Sequence, residues 1–208
     1  MSVTARAEPP AHVLAPEAGL SLTDRVGEAS TGYPIDRRLR GGYRLGGSWG
    51  MSRSFTLGLF YERSGAGREE IAYADTGYAS STSRSLHAVI ADLRVFALRS
   101  ASTRLFVELD AGFSLEAVEQ SGVRLDPGPK AYRCTASSGP SALLGVAVGG
   151  EVELGGSFAL VGRAFGVAHR LGDAPLSDGA GLPCAPGAGS LAQLGASLGL
   201  AYRFDLGS

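Results

Sequence analysis

The chain has 208 residues, a formal net charge of -1 and 31 glycines without a Gly-X-Y period, which excludes collagen and a basic nucleic-acid footprint. Hydrophobic residues make up 44% of it, too many for a disordered chain. No run of about 18 apolar residues is present to form a transmembrane helix, but membrane-spanning strands are shorter and alternate in polarity.

Residues 1–10 are read as an N-terminal segment and residues 11–206 as one domain. Ala5-Arg6-Ala7 before Glu8 has the small-x-small form of a signal-peptidase site, so 1–10 is a candidate signal-peptide remnant, although no apolar stretch precedes it. From there the hydrophobic period is close to 2. Ala18, Leu20 and Leu22 alternate with Glu17, Gly19 and Ser21, a poor first strand in which Pro16 argues against a central position. Leu39, Tyr43, Leu45 and Trp49 then oppose Arg38, Arg40, Arg44 and Ser48. Phe55, Leu57, Leu59 and Tyr61 oppose Thr56, Gly58, Phe60 and Glu62, and Val89, Ala91, Leu93 and Val95 oppose Ile90, Asp92, Arg94 and Phe96. Leu105 to Leu115 and Leu144 to Leu154 continue the pattern, while 158–170 is less regular because Phe165 and Val167 share a face with Arg163. In the last strand Leu194, Ala196, Leu198, Leu200, Tyr202, Phe204 and Leu206 share one face.

Short connections near 50–53, 99–103 and 155–156 alternate with long ones near 25–37, 65–83, 119–139 and 172–189. Eight strands joined in this way predict an all-β, antiparallel, up-and-down transmembrane barrel. The charges choose which face is inside. Arg44, Glu62, Asp92, Arg94, Glu108, Asp110, Glu151, Arg163 and Arg203 all fall on the polar face with many glycines, and the apolar face is nearly free of charge. An eight-stranded lumen is narrow, so small residues and paired charges suit it, and the apolar face is expected to meet lipid. Tyr43, Trp49, Tyr202 and Phe204 are expected in an aromatic girdle at the tight-turn end.

The strand count and the closing residues Leu200-Ala-Tyr-Arg-Phe204-Asp-Leu206 resemble the small eight-stranded outer-membrane β-barrel superfamily of Gram-negative bacteria, which includes the outer-membrane protein A barrel. The resemblance implies an outer-membrane location in the cell envelope, lipid as the surrounding partner and insertion by the barrel-assembly machinery. In this chain Phe204 is followed by Asp-Leu-Gly-Ser and does not end the sequence.

Cys134 and Cys184 lie in two long connections at the same end of this topology, and a disulfide between them is expected, as suits an oxidising compartment. His12, His87 and His169 are scattered, so no metal and no cofactor are expected. Ser85 and His87 share a strand face. Lipid A deacylases of the outer membrane use a Ser and a His on the lipid-facing wall, but no orienting acid is evident here, and the pair is read as interfacial. Glu108 and Asp110, spaced i, i+2, are explained by lumen alternation as well as by acid–base chemistry. The expectation is a non-enzymatic barrel with a structural or envelope role, or recognition of an unknown ligand through its extracellular loops. A narrow porin-like pore is a variant of this. The alternatives are a soluble or secreted lipocalin-like barrel binding an apolar ligand and a membrane-embedded lipid-modifying enzyme.

Overall fold

Alternating polarity forces each strand to find a neighbour on both sides, because a backbone in lipid has no water to bond. The computed structural model shows how the chain achieves this. It describes residues 13–26, 39–73, 78–100, 102–124, 128, 130–179, 181 and 183–206. Residues 1–10 and Arg38 lie outside them.

The elements are β1 (Val13–Val26), β2 (Arg40–Gly50), β3 (Phe55–Tyr73), β4 (Tyr78–Arg99), β5 (Thr103–Arg124), β6 (Lys130–Ser137), β7 (Ser141–Gly155), β8 (Phe158–Arg170), β9 (Leu176–Ser177), β10 (Pro183–Ala185), β11 (Ser190–Tyr202) and β12 (Phe204–Asp205). β6 and β7 run end to end along β5, and β11 and β12 run end to end along β1. The ten segments of the main sheet therefore make eight antiparallel staves, closed by β1 against β11. Tight connections at 51–54, between Arg99 and Thr103, and at 156–157 mark one end.

Pro16 is part of β1 after all, opposite Gly47 of β2. On its other side β1 pairs with β11 from Glu17 onward and with β12 only at Val13 and Leu14. The missing N–H of proline thus falls where the ladder is already interrupted, between the Glu17–Ala201 and Leu14–Phe204 pairs. Two expected long loops are mostly strand. β3 and β4 stay paired up to Tyr73↔Tyr78, and β5 and β6 up to Arg124↔Lys130. These extensions are rich in Ser, Thr and Arg. Their backbone groups are satisfied by the ladder, so they need no apolar face.

The apolar residues face outward. Leu20 is 74% exposed and Leu198 58%, while Glu108 on the opposite face is fully enclosed. A lipocalin-like barrel requires the reverse arrangement. The lumen also holds large apolar groups, among them Phe60, Ile90, Phe106, Leu143 and Phe165. This explains the irregular polarity of 158–170: Arg163, Phe165 and Val167 all point inward and sit at different depths. Glycines make room for the rings. A Cβ on Gly149 would lie 2.5 Å from the Phe106 ring, and one on Gly195 2.6 Å from the Phe165 ring.

An arginine placed on the lipid face at mid-strand costs about 2–4 kcal/mol. Leu198→Arg is therefore expected to lower unfolding stability in lipid vesicles by about that amount, as measured by denaturant titration of the refolded barrel.

Candidate functional site

Lumen side chains come from the inward positions of each stave, and their depth follows from the register. Nearest the tight turns, Glu151 accepts bonds from Arg104 and from Arg203, the latter at 2.6 Å, and Arg203 also reaches Glu153 at 2.8 Å. Above this pair of arginines lie Phe96, Phe106, Val161 and Ala201, packed together. The Arg104 guanidinium stacks 4.4 Å from the centre of the Phe96 ring.

The central layer is ionic. Arg94 bonds Glu108 at 2.6 Å and Glu17 at 2.8 Å, lies 3.4 Å from Asp92 and 3.7 Å from Glu151, and so joins β1, β4, β5 and β7. Arg44 reaches Asp92 at 2.5 Å, Glu108 at 3.5 Å and Glu62 at 3.8 Å, with its guanidinium 3.8 Å from the centre of the Phe60 ring. Arg163 lies 3.2 Å from Glu108 and 3.3 Å from Asp110. Asp92 and Asp110 are directly opposite in register, an arrangement that repels unless cations stand between the carboxylates. Oxygens of Asp92, Glu108 and Asp110 come within 4.8 Å of one another, a spacing that a metal ion could bridge. The guanidiniums of Arg44 and Arg163 face these same three carboxylates, so arginine supplies the positive charge there.

Above the ions an apolar layer contains Ala88, Ile90, Leu143, Ala147, Phe165 and Val167. A small cavity of about 10 Å³ lies beside it, bordered by Ser64, His169 and Gln193 among others. His169 Nδ1 lies 3.0 Å from Ser114 Oγ.

The loop-side mouth is filled by Leu171 and by residues 183–189. Leu171, Ala188 and Leu191 pack on Ala66 and Leu86. The Ala188 N–H donates to Glu116 at 2.9 Å, and Arg84, paired with Glu116, donates to the Pro186 carbonyl at 2.9 Å. The disulfide Cys134–Cys184, with Cα atoms 5.5 Å apart, ties this segment to β6. Around it Val118, Ala136, Leu176 and Ala185 form a separate apolar cluster.

The structure brings Arg44, Glu62, Asp92, Arg94, Glu108, Asp110 and Arg163 together at one depth, and Glu151 and Arg203 below them. Sequence reasoning leaves Glu17 and Arg84 out of the lumen charges. Glu17 is on the polar face of a strand that reads as poor, and Arg84 falls in a stretch that reads as loop. The expected place of Tyr43 at the tight-turn end is corrected. Trp49 pairs with Leu57 beside a tight turn, and Tyr202 packs against Phe158 and Phe204 at ring distances of 4.9 and 4.6 Å. Tyr43 pairs with Arg63 six residues further along and lies toward the opposite, loop-side edge, next to Tyr61. Period 2 sets a residue's face but leaves its height to the register. Ser85 and His87 remain together on the outer wall.

Solved structures with the same fold include Ail, the attachment invasion locus protein of Yersinia pestis, at 13% identity and TM-score 0.52, covering 94% of this chain and 100% of that one. Neisserial surface protein A matches at 14% identity and TM-score 0.54, with 92% and 97% covered. A major outer membrane protein from Thermus thermophilus matches at 13% and 0.54, with 94% and 100% covered. No protein-family model and no curated protein sequence matches the chain. The likeness is one of fold: this chain is an eight-stranded barrel of the outer-membrane type.

Removing one partner of a buried ion pair costs about 3–5 kcal/mol, because the other charge stays buried. Arg94→Ala is expected to fall in this range in equilibrium unfolding. Arg133→Ala, whose bond to Glu119 is exposed, is expected to change stability by less than about 1 kcal/mol.

Proposed function

We propose that the chain is an outer-membrane barrel with a plugged lumen whose work is done above the bilayer, where it holds up a braced sheet for recognition. One observation carries this reading. The ionic and apolar layers fill the lumen, and Leu171 with residues 183–189 occupies its loop-side mouth. A stem of this kind spends its interior on rigidity, and its interior charges are structural.

The paired extensions of β3, β4, β5 and β6 rise past the outward apolar residues, and the disulfide fixes residues 183–189 against them. A sheet projecting from a rigid barrel is a pre-ordered surface, which lowers the entropic cost of binding a partner. Among proteins of this fold, Ail is named for attachment and invasion, and it has been crystallised with the heparin analogue sucrose octasulfate. That supports surface recognition as the role here. Outer-membrane lipid is the surrounding partner, the barrel-assembly machinery the partner during insertion, and the ligand is one met by the extracellular sheet.

The competing variant is a narrow pore. Purified, refolded protein in planar bilayers is expected to give no stepwise conductance. Steady ohmic channels in the unmodified protein would replace the plug with a pore.

A further inference from the structure

The plugged stem makes no use of a second group of polar residues, which lies on the lipid-facing wall. Ser85 and His87 are two apart on β4, so both project outward. Ser85 Oγ lies 3.2 Å from His87 Nε2. The other ring nitrogen, Nδ1, lies 2.6 Å from the hydroxyl of Tyr61 on β3. Tyr61 is in turn packed against Tyr43, with ring centres 6.0 Å apart. The order is nucleophile, base and orienting group, each within hydrogen-bond reach of the next. Arg63 pairs in register with His87 and shares the outward face. Opposite Ser85 the β3–β4 ladder carries a bulge between Gly65 and Gly67, a feature that re-aims side chains beside active sites.

The height of the group matters as much as its geometry. Toward the tight turns the same face continues as Val89, Ala91 and Leu93 on β4 and as Leu59 and Leu57 on β3, and all of these meet lipid. Toward the loops it continues as Ser83. The group therefore stands where acyl chain gives way to headgroup, the depth at which the ester carbonyls of a bilayer lipid lie. Because the tight turns of such barrels face the periplasm, this is the outer leaflet.

We propose that Ser85, His87 and Tyr61 hydrolyse acyl esters of outer-leaflet lipids. Nδ1–H of His87 donates to the Tyr61 oxygen, which leaves the Nε2 lone pair free for the Ser85 proton. As that proton transfers, Ser85 Oγ attacks the ester carbonyl, and the Arg63 cation faces the oxyanion that forms. The carbonyl–alkoxy bond breaks, and the departing alcohol takes the proton from Nε2. The acyl group is now on Ser85. Water then gives a proton to Nε2 and attacks the acyl carbon. Ser85 leaves with that proton, and a free fatty acid is released. Tyr61 does not touch the ester and acts as a positioning residue.

The test uses the full chain refolded in detergent, with its fold checked by the heat-dependent shift of its band on SDS gels. Fatty-acid release is measured from diacyl phosphatidylethanolamine in mixed micelles and, separately, from lipopolysaccharide. An alkyl fluorophosphonate labels the nucleophile, and the labelled peptide is identified by mass spectrometry. The expected result is label on Ser85 and release from at least one of the two lipids. Both are lost in Ser85→Ala and His87→Ala variants that keep the gel shift. Tyr61→Phe is expected to lower kcat with KM unchanged. No release by folded wild-type protein above the Ser85→Ala background, or label elsewhere than Ser85, overturns the proposal. An unchanged kcat in Tyr61→Phe removes Tyr61 from it. Bilayer conductance reports on the plug and not on this wall, so the two readings fail separately.

Discussion

Arg94 holds the barrel together from within. Its guanidinium meets carboxylates from four staves, Glu17, Asp92, Glu108 and Glu151, at distances from 2.6 to 3.7 Å. Burying such a charge would be prohibitive alone, and it succeeds because a planar fork of donors can serve several acceptors at once. Arg44 and Arg163 extend the network to β2 and β8 through Glu62, Asp92, Glu108 and Asp110. Only a narrow lumen brings opposite walls close enough for these contacts. The stave count, the glycines under the rings and the charge pairing are therefore one solution to one problem. The network is costly to break at any single member, because the remaining charges stay buried.

What lies outside follows from what lies inside. With the charges enclosed, the remaining face of every stave is left apolar and suits lipid. Lipid in turn requires all backbone groups to be paired, which closes β1 onto β11. Above the apolar wall neither demand applies. There the strands extend on polar residues, and a disulfide with an apolar cluster replaces the missing lumen as the means of bracing. The Ser85–His87–Tyr61 group stands at the boundary between these regimes.

Much of this is legible in the sequence because a β-strand has a strict side-chain period. Leu194 to Leu206 announce one stave, and the segregation of Arg94 and Glu108 from Leu93 and Leu109 announces which face meets lipid. Topology alone pairs Cys134 with Cys184. The rest depends on register between strands distant in sequence. Period 2 gives Tyr43 the right face and leaves its height wrong. Glu17 is hidden because Pro16 weakens its strand, and Arg84 because a polar strand outside lipid looks like a loop. The partner of His87 is invisible in the sequence for a related reason: Tyr61 is 26 residues away and meets it only across the β3–β4 ladder.

The charged face encloses the lumen while the apolar face meets lipid. Intermolecular NOEs between lipid acyl chains and assigned methyl groups test it directly, on refolded protein in deuterated-headgroup nanodiscs. Strong NOEs are expected to Leu20, Leu59, Val146 and Leu198, with none to Leu86, Ile90, Leu143 and Val161. Lipid NOEs to the second set, with the first set silent, would turn the barrel inside out.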